Sequence, residues 1–221
     1  MRLFLLSLIF NFILIGFCTA QVRQPSTAYT GVGLKGGSSF SSFSFDPSEN
    51  QGWATGYTAG LLLKHAVRVN ENEPMMGIQV ELNWVQRGWS DKIDSATTYT
   101  RSLHYIELPF MTHAIWGHKN TKYLANFGPA ISYLVSNRDS IPAISDKEHD
   151  GYYQNEIEKP WLVGLTLGAG LQHTSALGTL QLEARITQSL NNIMTKRQQV
   201  VSARNTNITI TLAYLLELRP K

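Results

Sequence analysis

The chain has 221 residues, of which 43% are hydrophobic and 16% charged, and its formal net charge is +3. This length suits a single domain, and the hydrophobic content argues against wholesale disorder. The mean hydropathy of -0.13 excludes a polytopic helical membrane protein. It allows a membrane β-barrel, because barrel strands need apolar residues only at alternate positions. The weak, dispersed positive charge gives no indication of nucleic-acid binding.

The N-terminus has the features of a secretory signal. Arg2 supplies positive charge, residues 3–17 are almost uninterrupted apolar sequence, and a small-residue cleavage site ends at Ala20. We therefore predict a cleaved signal peptide over residues 1–20 and a mature barrel domain over residues 21–221. Cleavage would remove the only cysteine, so no disulfide is expected. No later apolar run is long enough to cross a bilayer as a helix, so insertion must use strands.

Apolar and polar residues alternate along much of the remaining chain. In residues 179–190, for example, Leu180 and Leu182 fall on one face of a strand, while Glu183 and Arg185 fall on the other. A helix would scatter these residues around its circumference. The same kind of pattern predicts further strands over residues 29–37, 53–66, 78–84, 102–115, 123–136, 161–174 and 208–216.

The connections between the predicted strands alternate in length. Long connections are expected at residues 38–52, 88–101, 137–159 and 191–205, and shorter ones at residues 67–74, 116–121 and 175–178. Single-chain outer-membrane barrels show this rhythm, with short turns in the periplasm and long loops outside. The sequence therefore predicts an all-β fold, a closed antiparallel up-and-down transmembrane β-barrel of about eight strands in the outer membrane of a Gram-negative bacterium.

Aromatic residues are expected near the two membrane boundaries, where amphipathic rings are favoured. The predicted outer set is Trp53, Trp89, Tyr99, Tyr133 and Trp161, and the predicted inner set is Tyr29, Trp116 and Tyr123.

Two motifs resemble a known family. The segment around Gly36 and Gly37 is similar to an opening Gly-Lys-Gly-Gly-x-x-Phe-Ser pattern, and Tyr105, Glu107 and Pro109 match a central Tyr-x-Glu-x-Pro stretch. On these motifs, and on matches in later strands, the chain resembles the PorT-like family of outer-membrane β-barrel proteins from Bacteroidetes. The resemblance implies a barrel in the outer membrane and an association with secretion machinery.

The inward faces of the predicted strands carry charges of both signs. A barrel of about eight strands has room inside only for side chains, so an open pore is not expected. Buried charges need partners, and we predict a structural network in which the three carboxylates face the two cations. Its members are Lys35, Glu81, Glu107, Glu183 and Arg185. The alternative is a proton or ion path through the same residues.

Pro109 lies inside a predicted strand, where it cannot donate a ladder hydrogen bond. We therefore predict a β-bulge or bend at this position.

No motif predicts catalysis, a cofactor or a metal. The Gly31, Gly33 and Gly36 spacing fits a dinucleotide fingerprint, but no helix is predicted after it. His104 and His113 fall on opposite faces of one strand and cannot share an ion. We expect a non-enzymatic protein whose partners are outer-membrane lipid and envelope or secretion-machinery proteins. The alternative is a soluble periplasmic lipocalin-like barrel that binds a hydrophobic ligand, because turning the barrel inside out preserves the alternation.

Overall fold

The protein is a closed antiparallel barrel of eight strands, as the sequence predicted. The computed structural model describes residues 27–46, 51–68, 70, 72–92, 98–117, 120–140, 159–192 and 202–218. Each strand pairs with the next along the chain, and β8 pairs with β1 to close the sheet. Within these ranges no helix is long and apolar enough to cross a bilayer. The strands are β1 (Thr27–Asp46), β2 (Gln51–Arg68), β3 (Met75–Lys92), β4 (Thr98–Trp116), β5 (Thr121–Ser140), β6 (Trp161–Ser175), β7 (Gly178–Ser189) and β8 (Ser202–Glu217). The predicted signal peptide lies outside the described residues.

Several strands are longer than the sequence predicted, and the largest extensions lie at the end with the long connections. β1 continues to Asp46 and β5 to Ser140, so residues 38–46 and 137–140 are strand, although loops were predicted there. The boundaries were misplaced because neither segment shows the apolar and polar alternation that marks a strand. Residues 38–46 mix serine and phenylalanine on both faces, and residues 137–140 are entirely polar. We call the strand residues 41–46, 51–56, 85–92, 98–105 and 134–140 the outward extension.

Side-chain burial alternates along every strand, with apolar residues outside and polar residues inside. On β7, Leu182 and Ile186 are 50% and 43% exposed, whereas Glu183 and Arg185 are 2% and 5% exposed. A soluble carrier of hydrophobic ligands would need the opposite arrangement. The lipocalin-like alternative is therefore wrong, and the apolar exterior requires contact with hydrocarbon.

The apolar exterior has the height of a bilayer core. On β6 it runs from Trp161 to Leu171, a length that matches the about 9–11 tilted residues that cross a membrane. Exposed aromatic pairs flank this apolar belt at both ends. Tyr133 and Trp161 lie at the outward boundary with ring centroids 4.7 Å apart. Trp116 and Tyr123 lie at the opposite boundary with centroids 6.4 Å apart.

Two residues of the predicted aromatic sets face the lumen instead of the lipid. Trp89 is only 3% exposed, and Tyr29 packs against an apolar cluster at the opposite end of the barrel. An aromatic residue suits either face of a strand, so only its odd or even position relative to its neighbours decides which way it points. The side chain of Tyr99 lies outside the described residues.

The predicted bulge at Pro109 is wrong. Asn83 pairs with Glu107 and Val80 with Phe110, so the β3–β4 register is the same on both sides of the proline. The missing N–H interrupts the ladder without requiring an extra residue. A bulge occurs elsewhere in the same sheet. Tyr105 pairs with Leu134 but His104 with Ser136, which leaves Val135 as the extra residue on β5.

The apolar belt generates a direct test at Leu167, which lies between Phe127 and Ile186 and is 56% exposed. Leu167→Arg places a charge in the hydrocarbon and should lower the free energy of unfolding by about 2–4 kcal/mol. Thr55→Arg, on the outward extension, should cost at most about 1 kcal/mol. Urea titration in lipid vesicles measures both values. Equal costs would contradict the assignment of the belt to lipid.

Candidate functional site: the charged lumen

Four charged side chains meet near the middle of the lumen. Lys35 comes from β1, Glu81 from β3, and Glu183 and Arg185 from β7. The Arg185 guanidinium donates two hydrogen bonds to Glu81, of 2.9 and 2.8 Å, and it also donates to Glu183 Oε1 at 3.0 and 2.8 Å. Lys35 Nζ lies 2.8 Å from Glu81 Oε2. The structure therefore brings together four of the five charges predicted for the lumen, and we call them the central cluster.

Glu81 is the shared acceptor of the central cluster. Its side chain is fully buried. Besides the two cations, Gln79 and Asn83 on the same strand donate to its carboxylate at 2.5 and 2.8 Å. These donors occupy carboxylate lone pairs that would otherwise lose their hydrogen bonds to water. A buried ion pair is tolerated when its remaining lone pairs are satisfied in this way. Because β3 and β7 lie on opposite sides of an eight-stranded barrel, the Arg185–Glu81 pair also spans the lumen.

Glu183 depends on a glycine in the neighbouring strand. A β-carbon at Gly168 of β6 would collide with Glu183 Oε1. Gly168 therefore leaves the room that the carboxylate occupies, while Asn126 and Gln181 donate to that carboxylate at 2.8 and 3.0 Å. The lumen-facing glycine on β6 is thus part of the charged site.

Glu107, the fifth predicted charge, lies apart from the central cluster. Its partner is Arg87 rather than Lys35 or Arg185, and Ser132 Oγ donates to it at 3.1 Å. Arg87 also donates to Asn205 at 3.2 Å and lies 5.4 Å from the centre of the Tyr105 ring. This pair was missed because the sequence alone does not determine the register between neighbouring strands, and the register decides which charged side chains meet.

The lumen is closed below the central cluster, towards the end with the short turns. Lys64 is fully buried and donates to the amide oxygens of Gln172 and Gln181 at 3.2 and 2.5 Å. In the part of the chain that the structure describes, it forms no ion pair. Below this polar layer, an apolar cluster forms the floor of the lumen, and no residue of it is more than 4% exposed. Its members are Ala66, Met75 and Ile115. A second apolar cluster, of Leu62, Ala213 and Leu215, packs beside the polar layer itself.

The lumen is also closed above the Arg87–Glu107 pair, inside the outward extension. Phe43 packs edge-on against Trp89 at 5.0 Å between ring centroids, and the Arg101 guanidinium lies 5.5 Å from the Trp89 ring. Leu103 follows Arg101 by two residues on the lumen face of β4 and is completely buried. The described interior is therefore filled by side chains from one end to the other.

The family-motif residues contribute to this packing. Tyr105, Glu107 and Pro109 occupy every second position of β4, so all three face the lumen. Gly36 and Gly37 lie in the middle of β1, where a β-carbon at Gly37 would collide with the backbone of Ile210 in β8. The glycine there permits close contact between the strands that close the barrel.

Sequence reasoning missed several lumen residues, although their alternation carried the signal. His113 and Arg101 share the odd-numbered face of β4 with Glu107, and both are buried. The His113 ring nitrogen Nδ1 pairs with Asn126, whose amide in turn donates to Glu183. Among the described residues no three His, Cys, Asp or Glu side chains are placed to hold a metal ion.

A small barrel with an apolar exterior and a polar lumen filled by side chains is the architecture of an integral outer-membrane protein. The family model of the outer membrane protein beta-barrel domain matches residues 19–195, and the chain belongs to that family. Its location is accordingly the outer membrane of a Gram-negative bacterium, in contact with lipid. Comparison with the curated proteins finds no significant match.

Solved outer-membrane barrels resemble this fold at low sequence identity. OprG from Pseudomonas aeruginosa is 10% identical, with a TM-score of 0.50, and the match covers 87% of this chain and 98% of OprG. Neisserial surface protein A is 11% identical, with a TM-score of 0.39 and coverage of 86% and 99%. Ail of Yersinia pestis is 10% identical, with a TM-score of 0.39 and coverage of 84% and 98%. At these identities the likeness concerns the fold alone.

The central cluster predicts a charge-dependent loss of stability. Glu81→Gln removes the acceptor shared by two buried cations and should lower the free energy of unfolding by about 3–5 kcal/mol. Lys35→Met removes one of those cations, so in the double variant the Arg185 and Glu183 charges balance. The double variant should therefore cost less than the sum of the two single variants.

Urea titration in vesicles measures this coupling. Thr166→Val is the matched control, because it removes a lumen hydrogen bond to Thr187 but no charge, and it should cost about 1 kcal/mol. Strict additivity of the Glu81 and Lys35 costs would show that the two charges do not interact as their geometry requires.

Proposed function

We propose that this protein is a sealed, non-enzymatic outer-membrane barrel that presents its outward extension and outer loops to other envelope proteins. The observation that carries the proposal is the filled lumen. Ion pairs occupy its middle, and buried apolar or aromatic side chains lie above and below them. A barrel filled in this way favours a rigid platform over a channel or a carrier.

The charges themselves support a structural role for the lumen. A conduction path needs charged sites that bind an ion weakly enough to release it. Here the carboxylates of Glu81, Glu107 and Glu183 each accept from an arginine at close range, and these arginines are almost completely buried. The network therefore favours holding the walls together over moving protons or ions.

The outward extension supports a role in contact with partners. β1 and β5 have 20 residues each, well beyond the length needed to cross a membrane. Aromatic packing around Trp89 keeps this part of the sheet rigid, and Trp53 on it is 52% exposed. A rigid structure that projects from the membrane is suited to binding other proteins.

The motif resemblance narrows the proposal further. The Gly36–Gly37 and Tyr105, Glu107, Pro109 motifs resemble those of the PorT-like proteins of Bacteroidetes, whose members are associated with secretion machinery. We infer that the partners belong to the envelope or to such machinery, and that residues 1–20 are a signal peptide that directs export and is then cleaved. No cofactor is required by this function.

The sealed lumen is tested by electrical recording. Purified protein inserted into planar lipid bilayers should produce no steady conductance, because no continuous water path crosses the described interior. A general porin recorded under the same conditions serves as the positive control. A reproducible single-channel conductance that scales with the amount of inserted protein would overturn the sealed-barrel proposal.

Partner contact is tested by photocrosslinking in cells. p-Benzoylphenylalanine in place of Trp53 should give discrete protein adducts, because that side chain is exposed on the outward extension. The matched control is the same photoreactive residue in place of Phe127, which is 53% exposed within the apolar belt and should crosslink to lipid. Protein adducts absent at position 53, or identical at both positions, would count against the platform.

A further inference from the structure

A polar patch lies on the lipid-facing side of the barrel, directly beyond the outward boundary of the apolar belt. The paired residues of β3, β4 and β5 form successive rows across this face. The row at the edge of the belt is apolar and aromatic, and the next two rows are mainly polar. The belt-edge row is Trp84, Ile106 and Tyr133; the second is Gln86, His104 and Ser136; the third is Gly88, Ser102 and Arg138.

The charge of this patch comes from Arg138. Its side chain is exposed, and within the described ranges it has neither an ion pair nor a hydrogen-bond partner. It lies opposite Ser102 and diagonal to His104, which places all three side chains on one face of the sheet. The patch therefore offers one unpaired cation beside neutral hydrogen-bonding groups.

His104 places a partly buried imidazole in the same patch. Its Nδ1 is buried and has no hydrogen-bond partner among the described residues. The ring lies 5.6 Å from Trp84 and 6.4 Å from Tyr57, measured between ring centroids. Beside it, Gln86 Nε2 donates to Ser102 Oγ at 3.3 Å. The imidazole thus lies beside aromatic rings at the membrane boundary, and the hydrogen-bonding groups that a headgroup can reach are those of Gln86, Ser102 and Ser136.

We propose that these residues bind the phosphate headgroup of an outer-leaflet lipid. The patch consists of Gln86, Ser102, His104, Ser136 and Arg138, and we call it the headgroup patch. A phosphate accepts hydrogen bonds from a guanidinium and from neutral donors together, which is the combination present here. Its position at headgroup level follows from the belt, which ends at the row immediately below.

Continuity with the lipid-facing belt identifies the occupant as a lipid rather than a soluble anion. Ile106 and Tyr133 are 41% and 41% exposed directly below the headgroup patch, where they can contact the acyl chains of the same molecule. One lipid can therefore contact both surfaces, with its tails on the belt and its phosphate at Arg138. A free phosphate would gain only the polar part of this contact.

Lipid binding can be measured with the full-length mature protein in phosphatidylcholine nanodiscs. Diphosphoryl lipid A is added at increasing proportions, and bound lipid is counted by native mass spectrometry. Arg138→Gln should weaken the apparent affinity about fivefold, the effect of one cation at a membrane surface. Arg204→Gln is the matched control, because Arg204 is also an exposed arginine near the outward end of a strand, on β8. It should leave the affinity unchanged.

Two further measurements separate the explanations. Dephosphorylated lipid A should bind both wild type and Arg138→Gln equally weakly, which assigns the difference to the phosphate. Inorganic phosphate alone should not compete with lipid A. Equal binding of diphosphoryl lipid A by wild type and Arg138→Gln would overturn the proposal. So would full competition by inorganic phosphate, which would indicate an anion site that does not need a lipid.

Discussion

A charge placed inside a narrow barrel has little water around it, so it needs polar partners from the wall, and an opposite charge is the strongest of these. In this protein Glu81 is that partner for two cations at once, Lys35 from two strands away and Arg185 from the opposite side. The outward-facing residues of each strand must be apolar, and alternation then assigns the remaining positions to the interior. The ion pairs are therefore what makes an apolar exterior compatible with a polar interior, and those of Glu81 join strands that share no backbone hydrogen bonds.

The filled lumen also determines where this protein can interact with anything else. Interior residues are occupied with one another, from the apolar floor around Met75 to the aromatic packing around Trp89. Molecules can reach the lipid-facing belt, the turns and the outward extension. Within this arrangement β1 to β5 are longer than β6 and β7, which have 15 and 12 residues. The side of the barrel formed by the longer strands therefore extends further beyond the apolar belt.

The alternating pattern was sufficient to predict the fold, the strand count and the orientation of residues such as Leu182 and Glu183. It failed where the alternation is absent, as in the mixed serine and phenylalanine segment after residue 37, which is why β1 was predicted to stop there. It also could not determine which charges meet. Pairing depends on the relative heights of neighbouring strands, and those heights are set by the whole closed sheet. Glu107 was accordingly assigned to the wrong cations, and Trp89 to the wrong face, although Trp89 was placed at the correct end of the barrel.

The extra residue at Val135 changes which side of the wall the end of β5 presents. Up to Ser132 the even-numbered residues of β5 face inward, yet the even-numbered Arg138 faces the lipid side. If the pairing of Tyr105 with Leu134 continued without interruption, Arg138 would stand opposite the buried Arg101, and two guanidinium groups would share a closed space. The extra residue therefore decides on which side of the wall the Arg138 side chain lies. It places this cation on the membrane side of the wall and keeps it away from the buried Arg101.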